Sequence, residues 1–180
     1  MTWPRALPWI VLLLLAGIVL GGVSLPSWLG GSGGGAPTPG GTSAGVVERV
    51  IDGDTIVVRV GDREERVRYV GVDTPETVKP NTPVECFGPA AHDLNARLLH
   101  GSGVRVTLRF DRELRDRYGR LLAYVYLASD GLFVNAQLVR AGAARTLPIS
   151  PNTAHAAELA TLQRDAAGAD RGLWGSCEAP

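Results

Sequence analysis

Two short stretches, Asp52-Gly53-Asp54-Thr55 and Asp73-Thr74-Pro75-Glu76, set carboxylates close together on either side of a run of strand-like residues. Carboxylates this near one another favour a divalent cation. An oxygen-only donor set suits Ca²⁺ or Mg²⁺, whereas Zn²⁺ usually takes His or Cys, and His92, His100 and His155 fall in no ligand-like spacing. Asp54 and Asp73 are the candidate metal carboxylates, with the main-chain oxygen of Thr74 as a further ligand. Glu76 stands beside them as a candidate general base. Each cluster alone has a plainer reading: Asp-Gly is turn chemistry, and Thr-Pro-Glu can be a strand end. The spacing is not that of an EF-hand, which needs more acids and a Glu at the twelfth position.

Arg68 and Arg120 are the candidate phosphate clamps, because a guanidinium presents a planar fork matched to two phosphoryl oxygens. Alternation places Arg68 on the same strand face as Val70 and Val72 and opposite to Asp73. Convergence of Arg68 and Asp73 therefore requires a bend, for which Gly71 is the natural place. Tyr118 precedes Gly119-Arg120 and can pack on a base, bond to a phosphate, or simply pack within a strand. From Arg109 to Arg120 five arginines meet three acids, which makes either a basic patch or a solvated hairpin.

The elements that must hold these residues read as follows. Val46 to Ile51 and Ile56 to Val60 form strands joined through Asp52-Gly53, a hairpin dipeptide. Arg66 to Val72 makes the third strand. A helix runs from Pro89 to His100 with Gly101 as its stop, and Val104 to Phe110 and Leu121 to Leu127 are two more strands. Phe133 to Ala141 and Thr153 to Ala167 have helical spacing. Five strands and three helices in this order predict a mainly β, α+β fold: a five-stranded OB barrel with three helices packed on it. A split ferredoxin-like sheet is the alternative.

The chain has 180 residues, and its N-terminal quarter differs from the rest. Leu7 to Leu25 is almost wholly apolar, with Arg5 before it and no charge until Glu48. It fits an uncleaved signal-anchor with the N-terminus inside, or a signal peptide cleaved near Gly22-Val23-Ser24. Either places the remainder outside the cytoplasm, anchored at a membrane or secreted. Residues 26–45 are uncharged and rich in Gly, Ser and Pro, a composition that predicts a flexible tether, with the folded domain over 46–177. Basic and acidic residues number 18 each, and all but Arg5 lie past the tether, so net charge names no polyanionic partner. Cys86 and Cys177 form an even pair which an oxidising compartment would bridge, though two separate buried thiols are the alternative.

Six segments in order give these observations a common frame: Ile51-Asp52-Gly53-Asp54-Thr55, Val67 to Glu76, Cys86-Phe87-Gly88-Pro89-Ala90-Ala91, Asp116 to Tyr124, Val134 to Gly142, and Gly172-Leu173-Trp174. Over Val46 to Trp174 the chain resembles the staphylococcal nuclease (thermonuclease) family. The resemblance implies an OB barrel with three helices and a Ca²⁺-dependent nuclease that hydrolyses DNA and RNA, leaving 3′-phosphate ends. It implies Asp54, Asp73 and Thr74 as the metal ligands, Arg68 and Arg120 as the phosphate-binding arginines and Glu76 as the general base. Arg117 and Tyr118 correspond to substrate contacts, with Arg117 replacing the lysine of that motif. The prototype's further nucleotide-contacting tyrosine is missing, since the corresponding stretch reads Thr146-Leu147-Pro148-Ile149. The cysteine pair matches exported bacterial relatives. The expected partners are nucleic-acid substrates, and a membrane through the N-terminal segment; a monomer is expected. The rival is an OB module that binds single strands or a protein without cutting, for which the full set of acids and arginines would be unnecessary.

Overall fold

The computed structural model describes residues 36–77, 84–100 and 102–177. The first strand, β1 (Thr42–Asp52), begins four residues before the expected Val46. Composition conceals this because the ladder from Thr42 to Val46, paired with Arg109 to Arg105 of β5 (Arg105–Arg109), needs only main-chain groups. β1 turns into β2 (Thr55–Val60) at Gly53-Asp54, one residue past the expected Asp52-Gly53, because Asp52 still pairs with Thr55. β2 pairs with β3 (Arg63–Tyr69), which starts three residues earlier than expected. β3 then lies parallel to β6 (Leu121–Leu127), and β5 pairs with both β6 and β1. The result is a closed barrel of order β1-β2-β3-β6-β5. Closure removes the edges that the ferredoxin-like alternative would leave open.

The barrel fills because each strand sends apolar residues inward. Val47, Ile56, Val58, Val67, Leu108 and Leu121 are wholly buried, and β2 is buried at every position but Arg59. The helices are α1 (Gly88–Leu98), α2 (Val134–Arg140), α3 (Ala156–Ala167) and α4 (Leu173–Ser176). The last is a single turn that periodicity is too short to reveal. α3 begins three residues later than predicted, and α1 ends at Leu98; Gly101, its expected stop, lies outside the described residues. α2 buries Leu138 and Val139 against the barrel. Its Asn135, fully buried, accepts from the Val125 N–H at 3.0 Å and donates to the Val70 carbonyl at 2.9 Å.

That carbonyl sits where the predicted third strand breaks. The ladder leaves the barrel after Tyr69 and resumes as β4 (Gly71–Asp73), paired with β7 (Arg145–Leu147) in a separate two-stranded sheet. Gly71 makes the break with φ +78°, a left-handed conformation costly for any residue with a side chain. The bend required for Arg68 and Asp73 to meet is therefore present at the expected residue.

Cys86 and Cys177 are bridged, with Cα atoms 5.9 Å apart and a separation of 91 positions in sequence. Closing so long a loop restricts the unfolded chain, so replacing both cysteines by serine is expected to cost about 2–4 kcal/mol. Urea unfolding followed by fluorescence, comparing oxidised wild type with the double variant, checks this through the midpoint. Among the described residues no helix is long and apolar enough to cross a membrane; the run Leu7 to Leu25 lies outside them.

Candidate active site

Arg68 leaves β3 near the bend and reaches both acidic clusters at once. Its Nη1 stands 2.9 Å from Asp54 Oδ2 and its Nη2 2.7 Å from Asp73 Oδ1. The same guanidinium donates to the Val72 carbonyl at 2.8 Å, so its direction is fixed by main chain as well as by charge. Asp54 is only 5% exposed and is held from several sides. Its Oδ2 accepts from the Thr74 N–H at 2.9 Å and the Thr74 hydroxyl at 3.0 Å, and its Oδ1 accepts from the Thr55 hydroxyl at 3.1 Å. The hairpin turn and the end of β4 are thereby tied together through one carboxylate.

Asp73 is exposed, yet desolvation by its surroundings raises its pKa, against which the Arg68 charge pulls down while Asp54 and Glu85 push further up. Asp52 lies beside them. Its Oδ1 accepts from the Thr77 hydroxyl at 2.7 Å and the Gly53 N–H at 2.8 Å. Burial raises its pKa, those two bonds oppose the rise, and the nearby Glu76 and Asp54 add to it. The Asp52 carbonyl is held in turn by Asn95 Nδ2 at 3.1 Å, and Asn95 Oδ1 accepts from the buried Tyr69 hydroxyl at 3.0 Å. Glu76 follows β4, half-buried, and its Oε1 accepts from the Thr77 N–H at 3.1 Å.

The donor set fits a hard divalent cation. Two carboxylates, Asp54 in the β1–β2 turn and Asp73 at the end of β4, converge tightly enough to share one guanidinium, and every side-chain ligand they offer is oxygen. Among the described residues no group of three His, Cys, Asp or Glu side chains forms a metal cage. Further ligands would have to be main-chain oxygen, as at Thr74, water and substrate.

The other half of the site is the irregular segment between β5 and β6. Asp116 organises it: Oδ1 accepts from the N–H groups of Tyr118 and Arg120 at 2.9 and 3.0 Å, and Oδ2 accepts from Arg120 Nε at 2.7 Å. Burial alone would raise the Asp116 pKa, but these bonds and the Arg120 charge outweigh it and hold it below its ordinary value. Arg115 forks onto Glu65 at 2.8 and 2.9 Å and donates to the Gly119 carbonyl, pinning the turn to β3. The arginine-rich segment is thus a braced loop, in which Asn152 also accepts from the N–H groups of Arg112 and Glu113.

Arg68, Arg117, Tyr118 and Arg120 all line one cavity of about 520 Å³. Tyr118 is not a packed strand residue: it is 68% exposed, with Arg117 Nη2 donating to its hydroxyl at 2.7 Å. Leu147 and Ile149 line the same cavity and are exposed, so the stretch without a tyrosine contributes an apolar wall. Asp54, Asp73 and Glu76 are not on the cavity lining; Arg68 connects the two halves. Of the histidines, His92 lies on the outer side of α1 beside Asp93, and His155 packs on Tyr124 and Phe133. Sequence reasoning assigned no role to Asp116, Glu65, Asn95 or Asn135. The one available signal was an uncharged amide inside an otherwise apolar helix face, as at Asn135, which must find partners when buried.

The family profile described as "Staphylococcal nuclease homologue" matches residues 66–176. The chain is 45% identical over 129 residues to a thermonuclease of Staphylococcus intermedius, covering 72% of this chain and 74% of that protein. It is 41% identical over 128 residues to a thermonuclease of Staphylococcus hyicus, covering 71% and 73%. Endonuclease YncB of Bacillus subtilis is 39% identical over 130 residues, covering 71% of this chain and 60% of that protein.

Proposed function

The chain belongs to the staphylococcal nuclease family and is a nuclease; from that premise we propose that it is a Ca²⁺-dependent phosphodiesterase acting on DNA and RNA and leaving 3′-phosphate ends. The observation that carries this reading is the single guanidinium of Arg68. It joins the carboxylates of Asp54 and Asp73 on one side and borders the arginine-lined cavity on the other.

Asp54, Asp73 and the Thr74 carbonyl would hold the cation. What Ca²⁺ supplies when bound is positive charge beside the scissile phosphate. The remaining work belongs to side chains. Glu76 takes the proton of a water that attacks phosphorus opposite the 5′-oxygen; the bond to that oxygen breaks and the oxygen takes up a proton from solvent, giving a 5′-hydroxyl and a 3′-phosphate. Arg68 and Arg120 donate to the phosphoryl oxygens, where negative charge grows. Arg117 and Tyr118 border the same cavity and accommodate the adjoining nucleotide, with an exposed ring available for a base face. Leu147 and Ile149 can add apolar contact but no hydroxyl.

The domain is proposed to work outside the cytoplasm, as a monomer, tethered through the N-terminal segment or released from it. The apolar run Leu7 to Leu25 and the Cys86–Cys177 bridge support that placement, since such bridges persist in oxidising compartments.

Hydrolysis of denatured DNA by the purified protein should require Ca²⁺, stop with chelator, resume when Ca²⁺ is returned, and yield 3′-phosphate ends on end-labelled products. Cleavage that persists in excess chelator overturns the metal assignment. DNA binding without cleavage at any Ca²⁺ concentration overturns the catalytic reading.

A further inference from the structure

Glu85 stands just beyond a segment outside the described residues and is joined to Glu76 in both directions. Its Oε2 accepts from the Glu76 N–H at 3.1 Å, and its own N–H donates to the Glu76 carbonyl at 3.0 Å. The main chain of Glu76 is thus gripped at donor and acceptor by one residue distant in sequence. The grip is itself anchored. The Glu85 carbonyl accepts from the Gly88 N–H at 3.0 Å, where α1 begins. Gly88 lies so close to the chain that any Cβ there would come within 2.8 Å of Thr77 Cγ2 and 3.0 Å of the Glu76 carbonyl. Cys86, next in sequence, is covalently bound to Cys177 just past α4.

Such a clamp has a chemical use. A general base must sit within hydrogen-bond reach of the water it deprotonates, and displacement by about 1 Å can cost about 100-fold in rate. Glu76 lies on a connecting segment and not in a strand or helix, so its register must come from contacts such as these. We propose that Glu85 is a positioning residue for this reaction, holding the Glu76 main chain through paired hydrogen bonds and secured to the body of the protein by α1 and the Cys86–Cys177 bridge. The inference rests on Glu76 being the general base.

The test uses the full chain with Ca²⁺ and denatured DNA, comparing wild type with Glu85→Ala, Glu85→Gln, Glu76→Gln and the double variant Glu85→Ala/Glu76→Gln. Glu85→Ala is expected to lower kcat by about 10- to 100-fold with KM and the melting temperature nearly unchanged. Glu85→Gln keeps an oxygen acceptor without the charge and should stay within about threefold of wild type. The double variant should be no slower than Glu76→Gln alone, because the clamp has nothing left to position.

A wild-type kcat for Glu85→Ala overturns the proposal, and so does a loss in which Glu85→Gln shares fully, since that would assign the effect to charge near Asp73. A loss accompanied by unfolding, or one that adds in full to Glu76→Gln, also overturns it. If Glu76→Gln itself keeps the wild-type rate, the general-base reading falls and this one with it. If Glu76→Gln is slow while Glu85→Ala is not, only the positioning role falls.

Discussion

Glu76→Gln should lower kcat by about 100- to 10,000-fold while leaving Ca²⁺ affinity nearly intact, the range expected when a general base is removed. The substitution preserves shape and one oxygen, so the bond that Oε1 accepts from the Thr77 N–H can survive, and the main-chain bonds to Glu85 do not depend on the side chain. What is lost is a carboxylate able to accept the proton of the attacking water. The candidate cation ligands, Asp54 and Asp73, are untouched, as is Arg68 between them. Single-turnover rates at saturating Ca²⁺, set beside a calorimetric Ca²⁺ titration, separate the two effects. An unchanged rate would remove Glu76 from the mechanism, and a large fall in Ca²⁺ affinity would reassign it as a ligand.

How far the sequence could be read depended on whether a feature was local. The barrel strands were legible because they are short runs rich in apolar and β-branched residues, bounded by turns that carry Gly with Asp, as at Asp52-Gly53 and Gly61-Asp62. The Arg68-to-Asp73 pairing was legible only as a condition. Alternation put the two on opposite faces, and the left-handed Gly71 resolves that by moving the chain into a second sheet. β7 and α4 escaped because strands of three residues and a single helical turn carry no period to detect. The braces escaped for another reason. Asp116, Glu65 and Glu85 are charged residues of ordinary surface type, and their importance lies in partners up to 50 residues away, such as Arg115 for Glu65. The first strand starts earlier than its apolar residues suggest because main-chain pairing with β5 does not depend on composition.

Arg120 depends on one of those braces. Arg120→Lys keeps the charge, and a view of Arg120 as mere positive potential expects little change. The geometry points the other way. Arg120 spends its Nε on Asp116 Oδ2 at 2.7 Å, and Asp116 also fixes the Arg120 main chain through Oδ1, so the guanidinium is aimed before substrate arrives. Its two Nη groups remain available for a phosphoryl group in the cavity shared with Arg68. A lysine has one nitrogen for both tasks: it can stay with Asp116 or reach the phosphate, and it cannot make a planar fork. The expected loss is about 100- to 1,000-fold in kcat, the scale for removing a preorganised donor to a developing oxyanion. KM should change much less, because Arg117 and Tyr118 still line the cavity. Melting temperature should also hold, because Asp116 still accepts the N–H groups of residues 118 and 120. Steady-state kinetics on a defined oligonucleotide, with melting curves alongside, decide the matter. Wild-type kcat in the lysine variant would show that charge alone suffices, whereas a fall confined to KM would make Arg120 a ground-state binding residue.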